Sequence, residues 1–387
     1  MIPVNEPLIG EKEIEYVDEC LRTGWVSSAG RFIDGFEQKW AEYCGMKYGI
    51  AMSNGTTALQ AAVGCFGFKP GFQVIMPSFT IISCALAVIY NGGTPLLVDC
   101  DPRTWCMDVG QVEAKVEEDA RSGAHRIKAI MPVHIYGHPV DMDPLVKLVE
   151  KYDLKIIEDA AEVHGAEYLT GRDTSNPKWK RCGSFGHVSI FSFYANKIIT
   201  TGEGGMLLTD DRTLAEKARS LRNLCFRPEQ RFLHTELGHN FRLTNLQAAI
   251  GLAQMERIDE IVSKKRWMGQ AYTRRLKDIP DLQLPVEEPW ARQVYWMYGI
   301  VLDAATSMDA KTCAAKLKGK GVDTRPFFLG MHEQPVFQSM GLFQDERYPV
   351  AERIARQGLY LPSGLTLTDK QLDQVCGTVK AILDEGQ

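Results

Sequence analysis

From residue 48 to residue 209 the chain alternates short apolar runs with helical patterns, and that alternation leaves few folds open. Residues 48–52, 73–76, 95–99, 127–133, 155–159, 188–193 and 206–209 read as strands. Helical patterns at 79–90 and 144–152 stand among them, and an alanine-rich one follows Ser53. Several strands are apolar along their whole length, so both faces of their sheet must be covered. The expected fold class is α/β, a largely parallel sheet packed between helices. Ligands of such sheets sit beyond the carboxyl ends of the strands, and that edge is where chemistry is to be sought.

Helices at 11–21 and 32–43 precede this region, with a Gly- and Ser-punctuated loop between them, and a helix at 212–223 follows. Leu246, Ala249, Ile250, Leu252, Met255 and Ile258 repeat at helical spacing and predict one long helix over 246–276. Strands at 294–302 and 322–328 then mix with helices at 310–318, 348–358 and 369–383, an α+β pattern. A chain of 387 residues accommodates two domains. The division expected is a large domain over 1–255, which includes the N-terminal segment, and a smaller one over 256–387. The polar stretch 169–182 reads as an exposed loop, its Lys178, Lys180 and Arg181 either solvated or near an anionic substrate.

Composition excludes other classes. A formal charge of −5 offers no basic face to nucleic acid. No apolar run approaches a membrane span, and the opening MIPVNEPLIG lacks a basic and apolar leader, so a cytoplasmic protein is expected. The ten cysteines form no C-x-x-C pair and read as small buried hydrophobes in a reducing compartment. No metal site is expected: Met331-His332-Glu333-Gln334 is only a partial likeness of a zinc-peptidase motif. P-loop, dinucleotide and nucleophile-elbow fingerprints are also absent.

What remains is a lysine. Lys197 lies in a polar turn between the strands 188–193 and 206–209, with the tight bend Thr200-Thr201-Gly202-Glu203-Gly204-Gly205 after it. Its head either reaches solvent from a strand end or is desolvated, and desolvation supplies the free amine that forms a Schiff base with a carbonyl. Asp159 ends another strand; it either caps the following turn or faces a cationic heterocycle whose proton it keeps in place. Ser53-Asn54-Gly55-Thr56-Thr57 opens a helix, as a plain N-cap or as an anion site for phosphate. His134 and Tyr136 fall just after a further strand end.

Four segments occur in order: Ser53-Asn54-Gly55-Thr56-Thr57-Ala58-Leu59, Glu158-Asp159-Ala160-Ala161-Glu162, Phe191-Ser192-Phe193-Tyr194-Ala195-Asn196-Lys197 and Asn240-Phe241-Arg242-Leu243-Thr244-Asn245. Together they resemble the motifs of the DegT-type nucleotide-sugar aminotransferases, and the resemblance covers nearly the whole chain. It implies a fold-type I enzyme with a predominantly parallel seven-stranded sheet, a smaller C-terminal domain, and a homodimer with shared active sites. It also implies pyridoxal 5'-phosphate, alternating with pyridoxamine 5'-phosphate. By position, Lys197 would join the cofactor covalently, Asp159 would pair with its ring nitrogen, and Glu162 would lie near its phenolic oxygen. Gly55, Thr56 and Ser192 match the phosphate cradle, and Asn240 would reach in from the second subunit. Expected on the substrate side are His134, Tyr136, Glu203, Arg325 and His332.

Within the family, the segments Met131-Pro132-Val133-His134-Ile135-Tyr136-Gly137-His138 and Thr200 to Gly205 resemble the branch that aminates GDP-4-keto-6-deoxymannose from L-glutamate. A dTDP-4-keto-6-deoxyglucose aminotransferase and a non-catalytic sugar-nucleotide sensor stand as alternatives. Two departures from the family pattern stand out. Ile81 occupies the position of an aromatic residue that stacks on the cofactor ring, and the 169–182 segment is longer than usual.

Overall fold

Seven strands build the central sheet in the order Tyr48–Met52, Gly205–Thr209, Val188–Ser192, Lys155–Asp159, Ile127–Ile130, Gln73–Pro77 and Thr94–Val98. Gly205–Thr209 runs antiparallel to both neighbours, and the four remaining pairs are parallel. This is the α/β sheet that the apolar strands demand: Val188–Ser192 and Gly205–Thr209 are buried throughout. The computed structural model describes residues 1–303, 306 and 308–385.

The reversal of one strand has a functional consequence. Ser192 pairs with Gly205, so the segment between them, with Lys197, is a loop projecting from the carboxyl edge of the parallel strands. Asp159 ends the adjacent parallel strand. The helix Gly55–Cys65 begins at this edge too, because Gly205 lets the loop before it come close: a Cβ there would stand 2.3 Å from the Asn54 carbonyl oxygen. Only glycine allows that approach.

Two apolar clusters form the interior. The larger surrounds the seven-stranded sheet, and Phe327, Met331, Phe337 and Ile354 also pack into it. The smaller gathers Met268, Tyr272, Tyr298, Leu317, Leu372 and Val379, joined by Ile2 from the N-terminus. Beside it lies a four-stranded antiparallel sheet in the order Leu282–Gln283, Tyr298–Leu302, Gly358–Leu361, Arg325–Pro326.

Several expected elements differ. The single helix over 246–276 is two, Asn245–Met255 and Ile258–Leu276. The break is at Arg257, whose backbone leaves the helical region while its guanidinium donates to the Leu8 carbonyl (2.6 Å) and to Glu13 (2.7 Å). The polar stretch 169–182 is mostly a hairpin: Glu167–Thr170 pairs with Lys178–Arg181, and Ala291–Arg292 adds a third strand. Asp143 ties its turn, accepting from Thr170 Oγ1 (2.6 Å) and the Gly171 N–H (2.9 Å). The helix expected over 79–90 starts only at Ser83, and the strand expected over 322–328 shrinks to Arg325–Pro326. The ten cysteines are all buried and free. Among the described residues no helix is long and apolar enough to cross a membrane, and no cluster of side chains suits a metal ion.

Candidate active site

The carboxyl edge of the sheet opens into a cavity of about 720 Å³. Lys197, Asp159, Glu162, Gly55, Thr56, Ser192, Ile81 and Glu203 all contribute to its wall. They come from several strand ends, one helix start and the loop after Ser192, which is what a sheet edge does for residues far apart in sequence.

Lys197 is held between a carboxylate and an aromatic ring. Its Nζ lies 3.6 Å from Glu162 Oε1 and 3.6 Å from the centre of the Trp296 ring, and its side chain is only 10% exposed. Burial lowers the affinity of this amine for its proton, against the opposing pull of Glu162 and Asp159. Glu162 feels the same loss of water in the opposite sense. Burial raises its carboxyl to about 7, although Lys197 and the Tyr136 N–H, which donates to Oε2 at 2.8 Å, work against that. Burial thus drives both members toward their neutral forms, and each opposes the other's loss of charge.

Asp159 is fully committed to its place. Its Oδ1 accepts from the Ala161 N–H at 3.0 Å and its Oδ2 from the Cys84 thiol at 3.3 Å. Burial pushes this carboxyl up, while those donors and Lys197 hold it down. Across the cavity, Asn54 caps the helix Gly55–Cys65 by accepting from the Thr57 N–H at 2.9 Å. The first-turn amides of Gly55 and Thr56 have no acceptor within the helix and are free to bind an anion. A Cβ on Gly55 would come within 2.8 Å of the Ser192 Cβ, so glycine keeps the cradle open.

Four residues expected on the substrate side lie off the cavity wall. His134 is fully buried: its Nε2 meets Glu158 at 3.0 Å and its Nδ1 accepts from the Val140 N–H at 2.9 Å. Tyr136 has a left-handed backbone (φ 52°) and turns inward to stack on Phe328, which itself lines the cavity. His332 is buried between Ser78 Oγ (2.8 Å) and Glu352 (3.2 Å). Arg325 is exposed and pairs with Asp323. Asn240 is also exposed and accepts from Arg242 at 2.9 Å, outside the cavity of its own chain. Arg181 stacks on Tyr43 and Lys180 donates to the Ser184 carbonyl, so neither faces the cavity. Trp296, Phe328, Tyr360 and Cys84, which the motifs do not mark, complete the surroundings of Lys197 and Asp159.

This donor set fits pyridoxal phosphate: an amine for its aldehyde, a buried carboxylate for its ring nitrogen, and helix amides with hydroxyls for its phosphate. Fold and site define a pyridoxal-phosphate-dependent aminotransferase of fold-type I. The chain belongs to the DegT/DnrJ/EryC1/StrS aminotransferase family, whose model matches residues 7–380. It is 40% identical over 383 residues to the GDP-perosamine synthase of Caulobacter vibrioides, covering 99% of this chain and 98% of that one. To the GDP-perosamine synthase of Escherichia coli O157:H7 it is 37% identical over 378 residues, covering 98% and 97%. The crystal structure of DesI with its TDP-sugar product superposes with a TM-score of 0.85 at 27% identity, covering 100% of this chain and 93% of that one. The chain is a sugar-nucleotide aminotransferase that uses pyridoxal phosphate.

Proposed function

We propose that this enzyme moves the amino group of L-glutamate onto the 4-keto carbon of GDP-4-keto-6-deoxy-D-mannose, yielding GDP-perosamine and 2-oxoglutarate. The observation that carries the choice of substrate is the whole-length likeness to two GDP-perosamine synthases. A dTDP-linked 4-keto-6-deoxyglucose is the second reading, favoured by the likeness to DesI with its TDP-sugar product.

When bound, pyridoxal phosphate supplies the carbonyl that captures an amine and the ring that takes up the electrons released at the donor's α-carbon. The chain's residues do the rest. Gly55, Thr56 and Ser192 anchor the phosphate, and Asp159 keeps a proton on the ring nitrogen. Lys197 would be the covalent attachment point and, once freed by the donor, the base that takes up and gives back a proton at Nζ. Glu162, 3.6 Å from that amine, accepts or releases the compensating proton. Phe328 and Tyr360 in the wall keep water from the reacting atoms. The keto sugar then meets the same groups in reverse order, so one lysine serves both halves.

A homodimer accompanies this reading. Trp25, Phe232 and Leu237 are left 59%, 81% and 92% exposed on one chain, and Asn240, exposed and outside its own cavity, would be available to a partner's phosphate cradle. Ten buried free thiols suit a cytoplasmic enzyme.

The test loads the protein with pyridoxamine phosphate and offers GDP- and dTDP-linked 4-keto-6-deoxy sugars side by side. Return of the aldehyde absorbance is expected with the GDP sugar. Return with the dTDP sugar alone overturns the substrate and leaves the chemistry standing.

A further inference from the structure

Lys265 is a buried amine for which the chemistry above has no use. It lies on the helix Ile258–Leu276 and is 3% exposed, with Nζ donating to the carbonyls of Trp296 (2.8 Å) and Ser363 (2.5 Å). Burial alone pushes it down to about 7. Burying such a nitrogen is costly even with two acceptors, and a methionine would fill a similar volume without that cost. What the nitrogen adds is a bridge.

The bridge spans a fork. The strands Tyr298–Leu302 and Gly358–Leu361 pair from Val301↔Gly358 to Tyr298↔Leu361, and there the ladder ends. Ser363 Oγ takes over the Tyr298 N–H at 2.9 Å. Two residues beyond the last pair, the carbonyls of Trp296 and Ser363 converge on Lys265 instead of on each other. The strand leading into one arm carries Tyr360, part of the cavity wall, still paired with Gly299. The other carries Trp296, whose ring lies 3.6 Å from Lys197 Nζ. The Trp296 indole N–H donates to the carbonyl of Asn196, the residue before Lys197, at 2.8 Å.

We infer that Lys265 is a positioning residue for amino transfer: by tying the two arms it holds the Trp296 ring against the Lys197 amine. The inference rests on Lys197 being the reacting amine. Without the tie, the arms keep the Ser363 Oγ bond to the Tyr298 N–H and the Tyr272 hydroxyl on the Pro362 carbonyl, but the Trp296 carbonyl loses its link to Ser363 and the ring is free to withdraw and admit water. Burial is the dominant influence on Lys197, so admitting water outweighs the lost ring contact and restores its proton affinity.

The experiment titrates Lys197 in cofactor-free protein by trace acetylation and peptide mapping, alongside kcat and KM of the loaded enzyme. Lys265→Met is expected to move the Lys197 midpoint upward, toward that of an ordinary lysine. It should also lower kcat while leaving KM for the sugar nucleotide nearly unchanged, and Lys265→Arg should return both toward wild type. A fall in melting temperature with the Lys197 midpoint unmoved overturns the inference. Should Lys265→Met not fold, Lys265→Gln, which keeps a polar donor but shortens its reach, is read by the same midpoint: an upward shift supports the inference and no shift overturns it. Borohydride trapping of the cofactor on the wild-type enzyme separates the two levels. Label at Lys197 with static midpoints in the variants removes this inference alone; label elsewhere removes the reading of Lys197 and the inference with it.

Discussion

The thiol of Cys84 donates to Asp159 Oδ2 at 3.3 Å, on the opposite side of that carboxylate from the Ala161 N–H. Burial works to protonate Asp159, and these two donors with Lys197 work to keep it charged. On the proposed reading, a charged Asp159 would hold a proton on the cofactor's ring nitrogen. Cys84→Ala removes one donor and leaves a buried oxygen short of a partner, at about 0.5–1.5 kcal/mol. Cofactor affinity, read by absorbance titration, is expected to fall roughly three- to tenfold. Cys84→Ser keeps a donor and should stay near wild type.

Gly205 is where the antiparallel strand passes the start of the helix Gly55–Cys65. A Cβ on Gly205 would stand 2.3 Å from the Asn54 carbonyl oxygen and 2.9 Å from the Gly55 nitrogen, and both are backbone atoms. Backbone cannot swing aside as a side chain does, so Gly205→Ala must push the helix start away from Ser192. We expect a loss of about 1–3 kcal/mol in unfolding stability. Affinity for pyridoxal phosphate should drop by more than the Cys84→Ala change produces. Calorimetry and cofactor titration on the same preparation check both.

Much of this site is visible in the chain before any coordinates. Lys197 and Asp159 are marked because strand ends are read from runs of apolar residues, and a charged residue at such an end stands out. The reach of side chains across the fold is not written in the same way. Trp296 sits 99 positions from Lys197, and nothing local to it says that its ring faces an amine. His134 and Tyr136 follow a strand end as Lys197 does, but the backbone there turns them inward, and no run of residue types announces a φ of 52° at Tyr136. The break at Arg257 is hidden because the apolar stripe continues from Met255 to Ile258 across it. The hairpin near Asp143 is hidden for the opposite reason. Its strands are polar and mostly half-buried, with only Tyr168 fully buried, so they carry the composition of a loop.

Glu13 fastens the N-terminal helix Glu11–Thr23 to the break between the two later helices. Its Oε1 accepts from Gln254 (2.6 Å) and Arg257 (2.7 Å), and its Oε2 from the Gly10 N–H (3.0 Å). Burial alone would raise this carboxyl, but the backbone bond, Gln254 and Arg257 together bring it below its ordinary 4.5. A carboxyl lowered by folding stabilises above its unfolded value and loses that contribution as the pH falls through the folded one. Glu13→Gln is therefore expected to cost about 1–3 kcal/mol at neutral pH. The deficit should shrink steadily as the pH is taken below 4.5. Urea unfolding at neutral and acid pH measures it.

Glu162 titrates in the opposite direction. Burial raises it from 4.5 to about 7, so the folded protein binds this proton more tightly than the unfolded chain does. The stability this group contributes is complete below 4.5 and is lost as the pH rises through about 7. Glu162→Gln has no proton to lose there. Relative to wild type, the cofactor-free variant should gain on the order of 2 kcal/mol between about pH 5 and pH 8, read by denaturant unfolding. The same substitution acts on Lys197, because Glu162 is the strongest of the groups that favour its charged form. Without that carboxylate the Lys197 midpoint should fall, and trace acetylation at a fixed pH near neutrality should label it faster. A variant that labels more slowly would mean that Glu162 holds the amine exposed to water rather than charged, and the pairing at 3.6 Å would then have no part in its reactivity.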